Sequence, residues 1–399
     1  NQYFFEFANI REHCSWVHSK EPERATEKSK DLVRMSVARA RLLQPLQEFE
    51  LPVNKKGLVI GGGVAGMTSA LNLANEGYEI YLVEKDKELG GMARNLYHTL
   101  EGLDVQSYLN DLIDKVNQHP LIHKYTDATI TEATGYIGNF TTKVKSGRTV
   151  REIQHGIAIV ATGAVEYKPT EYLYGKDEKV LTLVELEEKI AKGDPAVVNS
   201  QSLVMIQCVG CRQKDRNYCS RVCCSHSIKE ALKLKEKNPA MDIYIIFRDM
   251  RTYGFKEDFY REAANREVKF IRYEPDDKPV VEALEENGKR ILRVTVTDPI
   301  LGKKIAIDAD LLALAAAVIP AATNTEVSRL YKIPLSPDGF FQEAHVKLRP
   351  VDFAADGIFL CGTAHYPKHL TETISQAYGA AGRAATILSR DTVTASAAI

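Results

Sequence analysis

The feature that most limits what this chain can fold into is a short apolar strand, Leu58-Val59-Ile60, that runs straight into Gly61-x-Gly63-x-x-Gly66. A helix from Val64 to Ala74 follows at once. Each glycine has its own task in such a turn. Gly61 permits the sharp reversal, Gly63 lets a pyrophosphate approach the backbone, and Gly66 lets the helix pack on the strand. The helix then offers free N–H groups and the positive end of its dipole to the phosphates. Glu79-Ile80-Tyr81-Leu82-Val83 reads as the second strand. Glu84 closes it, where a carboxylate accepts from a ribose hydroxyl and disfavours a 2′-phosphate. Strand, turn, helix and terminal acid in register predict a dinucleotide-binding βαβ unit, with Val64, Ala65 and Lys85 beside the site.

Two later stretches point to FAD as the dinucleotide. Leu89-Gly90-Gly91-Met92-Ala93 follows Glu84 closely, as in flavoproteins with two dinucleotide-binding domains, whose flavin ring lies along this segment. Ile159-Val160-Ala161-Thr162-Gly163-Ala164 resembles the strand end that returns the chain to the FAD domain in that superfamily, and Gly357 to Gly362 resembles the strand that closes the site. The superfamily strand usually ends Gly-Asp, with the Asp on the ribityl chain; here it ends Gly362-Thr363. Thr371 and Thr373, near the next helix start, are placed to bring N–H groups to the N1–O2 edge of the flavin.

A second βαβ unit begins with the strand Ser202-Leu203-Val204-Met205-Ile206, continues in a helix from Ser227 to Lys237 and returns in Asp242-Ile243-Tyr244-Ile245-Ile246-Phe247. Where a nicotinamide-binding relative has another glycine loop, this strand leads into Cys208-Val209-Gly210-Cys211 and then Tyr218-Cys219-Ser220-Arg221-Val222-Cys223-Cys224. Thiols replace the phosphate cradle. Soft thiolates converging from a loop ahead of a helix N-terminus suit an iron–sulfur cluster. Zinc is the rival metal, although the adjacent pair Cys223-Cys224 fits its usual ligand spacing poorly. A redox-active Cys208/Cys211 pair, as in a disulfide reductase fed by NAD(P)H, is the rival chemistry; it leaves Cys219, Cys223 and Cys224 unexplained and lacks the nicotinamide loop. Inert buried cysteines are the bland alternative.

Composition excludes several other classes. Fifty-two basic residues oppose fifty-three acidic ones, so no global field recruits nucleic acid or anionic lipid. No apolar run approaches the roughly 18–20 residues that span a bilayer. Five of the seven cysteines lie between Cys208 and Cys224, and the total is odd. With no export signal, that argues for a reducing cytoplasm rather than a disulfide framework. The chain opens Asn1-Gln2-Tyr3 and closes Ala397-Ala398-Ile399, and both ends look processed, as in part of a longer protein. Strands alternating with helices predict an α/β fold: a helical arm over 1–50, with an amphipathic helix from Glu21 to Leu43; an FAD domain split between 51–168 and 335–399; and a second, iron–sulfur-bearing domain over 169–334.

The combination resembles the A subunit of heterodisulfide reductase. The residues that carry the resemblance are Glu12-His13-Cys14-Ser15-Trp16, Ile60-Gly61-Gly62-Gly63-Val64-Ala65-Gly66, Gln207-Cys208-Val209-Gly210, Cys219-Ser220-Arg221-Val222-Cys223-Cys224, Arg248-Asp249-Met250-Arg251-Thr252-Tyr253-Gly254 and His345-Val346-Lys347-Leu348-Arg349-Pro350. The family includes related subunits of class II benzoyl-CoA reductases and of quinone-interacting oxidoreductases. The resemblance implies a thioredoxin-reductase-like fold in which FAD hands single electrons to iron–sulfur clusters, in several members by flavin-based electron bifurcation. It implies a [4Fe-4S] cluster on Cys208, Cys219, Cys223 and Cys224, with Cys211 standing where relatives have Ser. Lys229 would place a cation at the flavin N5, while on its own residues it reads equally as a solvated lysine in the run Lys229, Lys233, Lys235 and Lys237. Cys14 matches the last cysteine of an N-terminal cluster domain, and the family often continues into a ferredoxin-like domain. Partners implied are the other subunits of such a complex, ferredoxin or hydrogenase- and dehydrogenase-type donors, and a second copy of the chain.

Overall fold

The computed structural model of the chain describes residues 4–45, 48–286 and 289–396. Asn1-Gln2-Tyr3 and Ala397-Ala398-Ile399, on which the reading of processed ends rests, lie outside them. The described residues fall into two compact units. The smaller, residues 1–53 with 390–399, holds a π-helical turn at Arg11–Ser15 and a helix at Pro22–Ala40. It also holds an antiparallel ribbon of Glu48–Pro52 with Thr392–Ser396. The arm helix forms where its apolar pattern places it, yet none of its residues is buried.

The larger unit, residues 54–389, repeats one design twice. In the first domain, parallel strands Gly57–Ile60, Ile80–Val83, Ile122–Tyr125, Ile157–Val160 and Ile358–Leu360 build a five-stranded sheet with Gly57–Ile60 at its centre. The second domain repeats this arrangement around Ser202–Val209, flanked by Asp242–Phe247, Lys269–Arg272 and Leu311–Ala316, but its outer strand Val180–Thr182 comes first in the chain where Ile358–Leu360 comes last. Central strands covered on both faces read as unbroken apolar runs, which is why both were legible in the sequence. Each domain also carries a three-stranded antiparallel meander just before a strand of its sheet. The first joins Ala128–Tyr136, Asn139–Ser146 and Thr149–His155. The second joins Val280–Glu286, Lys289–Asp298 and Lys303–Ala309. The first meander was not read from the sequence, because its outer strands expose most of their residues and are rich in Thr, Glu and other polar residues.

The helix Val64–Asn75 packs on the first sheet beneath the helix Leu370–Leu388, whose Ala377, Ala380, Ala381 and Ala384 let the two axes approach. In the second domain the cysteine helix spans Cys223–Lys237, starting at the cysteine pair rather than at Ser227. No helix among the described residues is long and apolar enough to cross a membrane.

Candidate functional site

The first glycine turn is built with little slack. Gly61 adopts φ +112, and a Cβ there would stand 2.2 Å from the Ala161 carbonyl oxygen. A Cβ on Gly66 would stand 1.8 Å from the Gly61 carbonyl oxygen, so only glycine lets the helix sit this close to the strand. Gly63 is the opposite case: a Cβ there would meet nothing within 4 Å. Its open side, at the N-terminus of a buried helix, is the cradle a diphosphate needs. Glu84 is buried, and its two oxygens accept from the backbone N–H groups of Gly62 (2.5 Å) and Asp86 (2.9 Å). The acid at the strand end therefore also fastens the glycine turn, with one lone pair on each oxygen left for a ribose hydroxyl.

The later segments converge on that turn. The Gly90 N–H donates to the Gly62 carbonyl at 2.8 Å, and a Cβ on Gly91 would stand 3.3 Å from the Gly63 Cα. The Ala161 N–H donates to the Ile60 carbonyl at 2.8 Å, and Thr162 donates to Asn324 at 2.8 Å. Gly163 adopts φ +74, and a Cβ there would stand 3.8 Å from the Thr363 hydroxyl. A Cβ on Gly362 would meet the Ala65 Cβ at 2.6 Å and the Thr373 Cγ2 at 3.7 Å. Thr371 and Thr373 lie in the first turn of the Leu370–Leu388 helix, Thr373 buried and Thr371 exposed. Lys85 is exposed beside Glu84, and Val64 and Ala65 are buried in the helix behind the cradle. Three polar residues that sequence reasoning missed complete the surroundings. Gln376 accepts from the Gly362 N–H at 3.0 Å, Asn324 anchors Thr162, and Lys368 donates to the Gly362 carbonyl at 2.7 Å. Burial lowers the Lys368 ammonium to about 8. No local signal marks these three, since none belongs to a recognisable motif of its own.

The second turn is a strained loop. Cys208, Arg212 and Arg221 take left-handed φ values of 62, 55 and 61, each costing about 1–2 kcal/mol for a residue with a Cβ. Such strain collects where the surroundings hold a site in shape. Cys208, Cys211, Cys223 and Cys224 are buried and Cys219 is half-buried. The helix that begins at Cys223 turns its N-terminal dipole toward them. A hydrogen bond from Cys208 lowers the Cys211 thiol to about 7 and raises Cys208 itself. The neighbouring pair behaves alike: Cys223 is raised and Cys224 lowered by the hydrogen bond between them. The Arg221 N–H points at the Cys219 sulfur over 3.3 Å, and Arg212 stands 3.9 Å from the Cys208 sulfur. These donors and cations are what a negatively charged metal–thiolate centre requires. Among the described residues, only His98, Glu187 and Glu230 bring three such ligand atoms within 4.8 Å of one another. Within the smaller unit Cys14 donates to the Ala25 carbonyl at 2.8 Å, and in the first domain Cys361 lies 3.5 Å from the Ser69 hydroxyl.

The two turns meet. Met92, beside the glycine cradle, packs with Val222 and Tyr218 of the cysteine loop against Phe340 and Val318. Arg221 reaches across to Glu372 (2.8 Å), at the start of the Leu370–Leu388 helix, and to the Tyr253 hydroxyl (2.9 Å). Lys229 is buried, not solvated, and its ammonium pairs with Glu187 at 2.7 Å. Arg251 is partly exposed and pairs with Asp249 at 3.6 Å.

Residues 55–204 match the family described as pyridine nucleotide-disulphide oxidoreductase. Thioredoxin reductase from Lactococcus lactis (FR conformation) superposes with a TM-score of 0.57 at 19% identity, over 84% of this chain and 99% of that one. The T. acidophilum thioredoxin reductase gives 0.55 at 14%, over 84% and 97%. Fold and site define an oxidoreductase with the thioredoxin-reductase-like arrangement of two dinucleotide-type domains. Curated relatives narrow this. The chain is 35% identical to the second iron-sulfur A-type subunit of CoB–CoM heterodisulfide reductase from Methanopyrus kandleri, over 97% of this chain and 73% of that protein. It is also 35% identical to the A-type subunit of the H(2):CoB-CoM heterodisulfide,ferredoxin reductase of Methanothermobacter marburgensis, over 96% and 72%. The chain belongs to the family of heterodisulfide reductase A subunits. The first of these alignments runs to 481 positions against 399 residues here, so that relative carries stretches inside the matched region without counterpart in this chain.

Proposed function

We propose that the chain binds FAD in the first cradle and a [4Fe-4S] cluster on Cys208, Cys219, Cys223 and Cys224, and passes electrons between them within a heterodisulfide-reductase-type complex in the cytoplasm. The observation that carries this reading is the duplicated fold itself. At the turn where the second domain would cradle a nicotinamide's phosphates, a strained loop gathers buried thiols, cations and a helix N-terminus. Bound there, the flavin would supply two-electron chemistry and the cluster one-electron chemistry.

The protein's own share is to bind and orient. Gly61, Gly63 and Gly66 admit the diphosphate, Glu84 a ribose, and Gly91, Met92, Ala161, Thr162, Gly163, Gly362 and Thr363 wall the rest. Thr371 and Thr373, in the first turn of the Leu370–Leu388 helix, would bring N–H groups to the flavin's N1–O2 edge. Lys229, paired with Glu187, would bring its positive charge toward the flavin N5. The FAD domain is divided between 51–168 and 335–399 about the cluster domain at 169–334. The Methanothermobacter relative's name gives both a heterodisulfide and ferredoxin. That supports splitting of electron pairs between two acceptors, with the other subunits, ferredoxin or a hydrogenase- or dehydrogenase-type donor, and a second copy of the chain as partners.

A second reading is an NAD(P)H-dependent disulfide reductase using Cys208 and Cys211, two buried thiols on one turn that shift each other's titration in opposite directions. Substitution separates the two. Under the cluster reading, Cys211→Ser leaves the brown absorption intact and Cys219→Ser abolishes it. Under the disulfide reading, NADPH bleaches the flavin of the wild type and Cys219→Ser is silent.

A further inference from the structure

The chain crosses between its two domains through one antiparallel ribbon, Ala164–Glu166 with Val318–Pro320. Two short strands resist rotation poorly, so the relation between cradle and cysteine loop needs further fastening. A buried ionic cluster lies on that boundary. Glu187 projects from the buried face of the Leu183–Ala191 helix, in line with Leu183, Leu186 and Ile190, and is fully buried. That helix is fixed at its start by a capping box of Thr182 and Glu185. The Glu187 carboxylate accepts from the Tyr97 N–H at 2.6 Å and pairs with the Lys229 ammonium at 2.7 Å. Lys229 in turn donates to the His98 carbonyl at 2.9 Å. Tyr97 and His98 follow closely on the Gly91–Asn95 turn that walls the flavin cradle, and Lys229 stands on the helix that begins with Cys223 and Cys224.

Around this pair stand Glu230, fully buried and 3.2 Å from Lys229, and His226, 2.8 Å from Glu187. Among the described residues, His98, Glu187 and Glu230 alone have the spacing of metal ligands. The Lys229 ammonium already occupies the position of a cation between the two carboxylates, and a metal ion brought there would be repelled by it.

We propose that Glu187 is a positioning residue. Its carboxylate fastens the cysteine-bearing helix, through Lys229, to Tyr97 and His98 beside the flavin, and it balances the charge that Lys229 presents there. The fastening stands on geometry alone; the charge balance rests on the flavin reading above, and the two halves are tested by separate readouts.

The first readout is amide hydrogen exchange on the full chain. Glu187→Gln and Glu187→Ala are expected to speed exchange at Tyr97 and His98 by about tenfold or more, with residues 58–60 and 203–206 still protected. Unchanged exchange at both amides would overturn the fastening. The second readout is the flavin midpoint potential of the holoprotein. Glu187→Gln removes one of the two carboxylates that face Lys229 and is expected to raise the potential, and Lys229→Met is expected to lower it. Shifts of the same sign, or none, would overturn the charge balance, because loss of packing alone has no reason to split by sign. A wild-type chain without flavin would remove the charge-balance half and leave the exchange result to stand. Zinc uptake lost in Glu230→Gln yet kept in Cys208→Ser would overturn both halves, since the cluster would then be a metal site.

Discussion

The glycine turn after Ile60 and the cysteine turn after Ile206 occupy the same place in two copies of one architecture, and they are built by opposite means. In the first, the side chains are removed so that backbone N–H groups can reach a ligand; the helix starts at Val64, immediately behind the turn. In the second, the helix waits until Cys223, and the inserted loop supplies side chains where the first supplies none. Five-stranded sheet, the order of four of its strands and the antiparallel meander are shared. The contrast teaches that one fold can present its turn at the mouth of the crossover and leave the turn residues to set the chemistry offered there.

The sharpest break in the comparison is chemical. Cys224→Ala or Cys223→Ala is expected to remove the iron and its visible absorption altogether while flavin content holds, read by metal analysis and absorption of the anaerobically purified variants. Next in size is Gly66→Ala. Its Cβ would fall 1.8 Å from a backbone oxygen that has no room to yield, and the expected cost is about 3 kcal/mol or more in chemical denaturation. Gly63→Ala should separate ligand contact from fold. Its Cβ meets open space, so stability is expected to hold within about 0.5 kcal/mol. Flavin affinity is expected to fall at least about tenfold in titrations of the apoprotein, because the backbone no longer admits the diphosphate.

The first meander carries its own test. His155 is fully buried between Thr142 and the Ile157 carbonyl, and burial lowers its ring from 6.5 to about 4. The unfolded chain therefore binds a proton near pH 6.5 that the folded chain refuses until about pH 4. Stability is expected to fall as the pH drops through that window, by about 3 kcal/mol in total, and the slope should flatten in His155→Gln. The smallest effect belongs to Cys211→Ser, where iron content is expected to stay at the wild-type level.

Much of this was legible in the sequence. Both central strands, the glycine turn with Glu84 at the next strand end, the clustering of the loop thiols and the family itself follow from local pattern, because buried parallel strands and phosphate turns impose composition on neighbouring residues. The meander from Ala128 to His155 was missed because its exposed Thr, Glu and Lys look like loop, although Ile137-Gly138 and Gly147-Arg148 mark its two reversals. The Glu187 cluster was missed for a different reason. Tyr97, Glu187 and Lys229 come from three distant segments, and an acid on the apolar face of Leu183–Ala191 is the single trace that local reading offers. Lys229 had two readings in the sequence, cofactor cation or solvated lysine; it is buried and ion-paired, which removes the second.

What stands or falls with the account is the identity of the group held at the second crossover. The most direct measurement is the FAD, iron and acid-labile sulfide content of the anaerobically purified full chain, followed by titration with NADPH and NADH. One flavin, about four irons and about four sulfides per chain are expected, with no tight nicotinamide binding. A yellow, iron-free protein that takes up one nicotinamide nucleotide would contradict it.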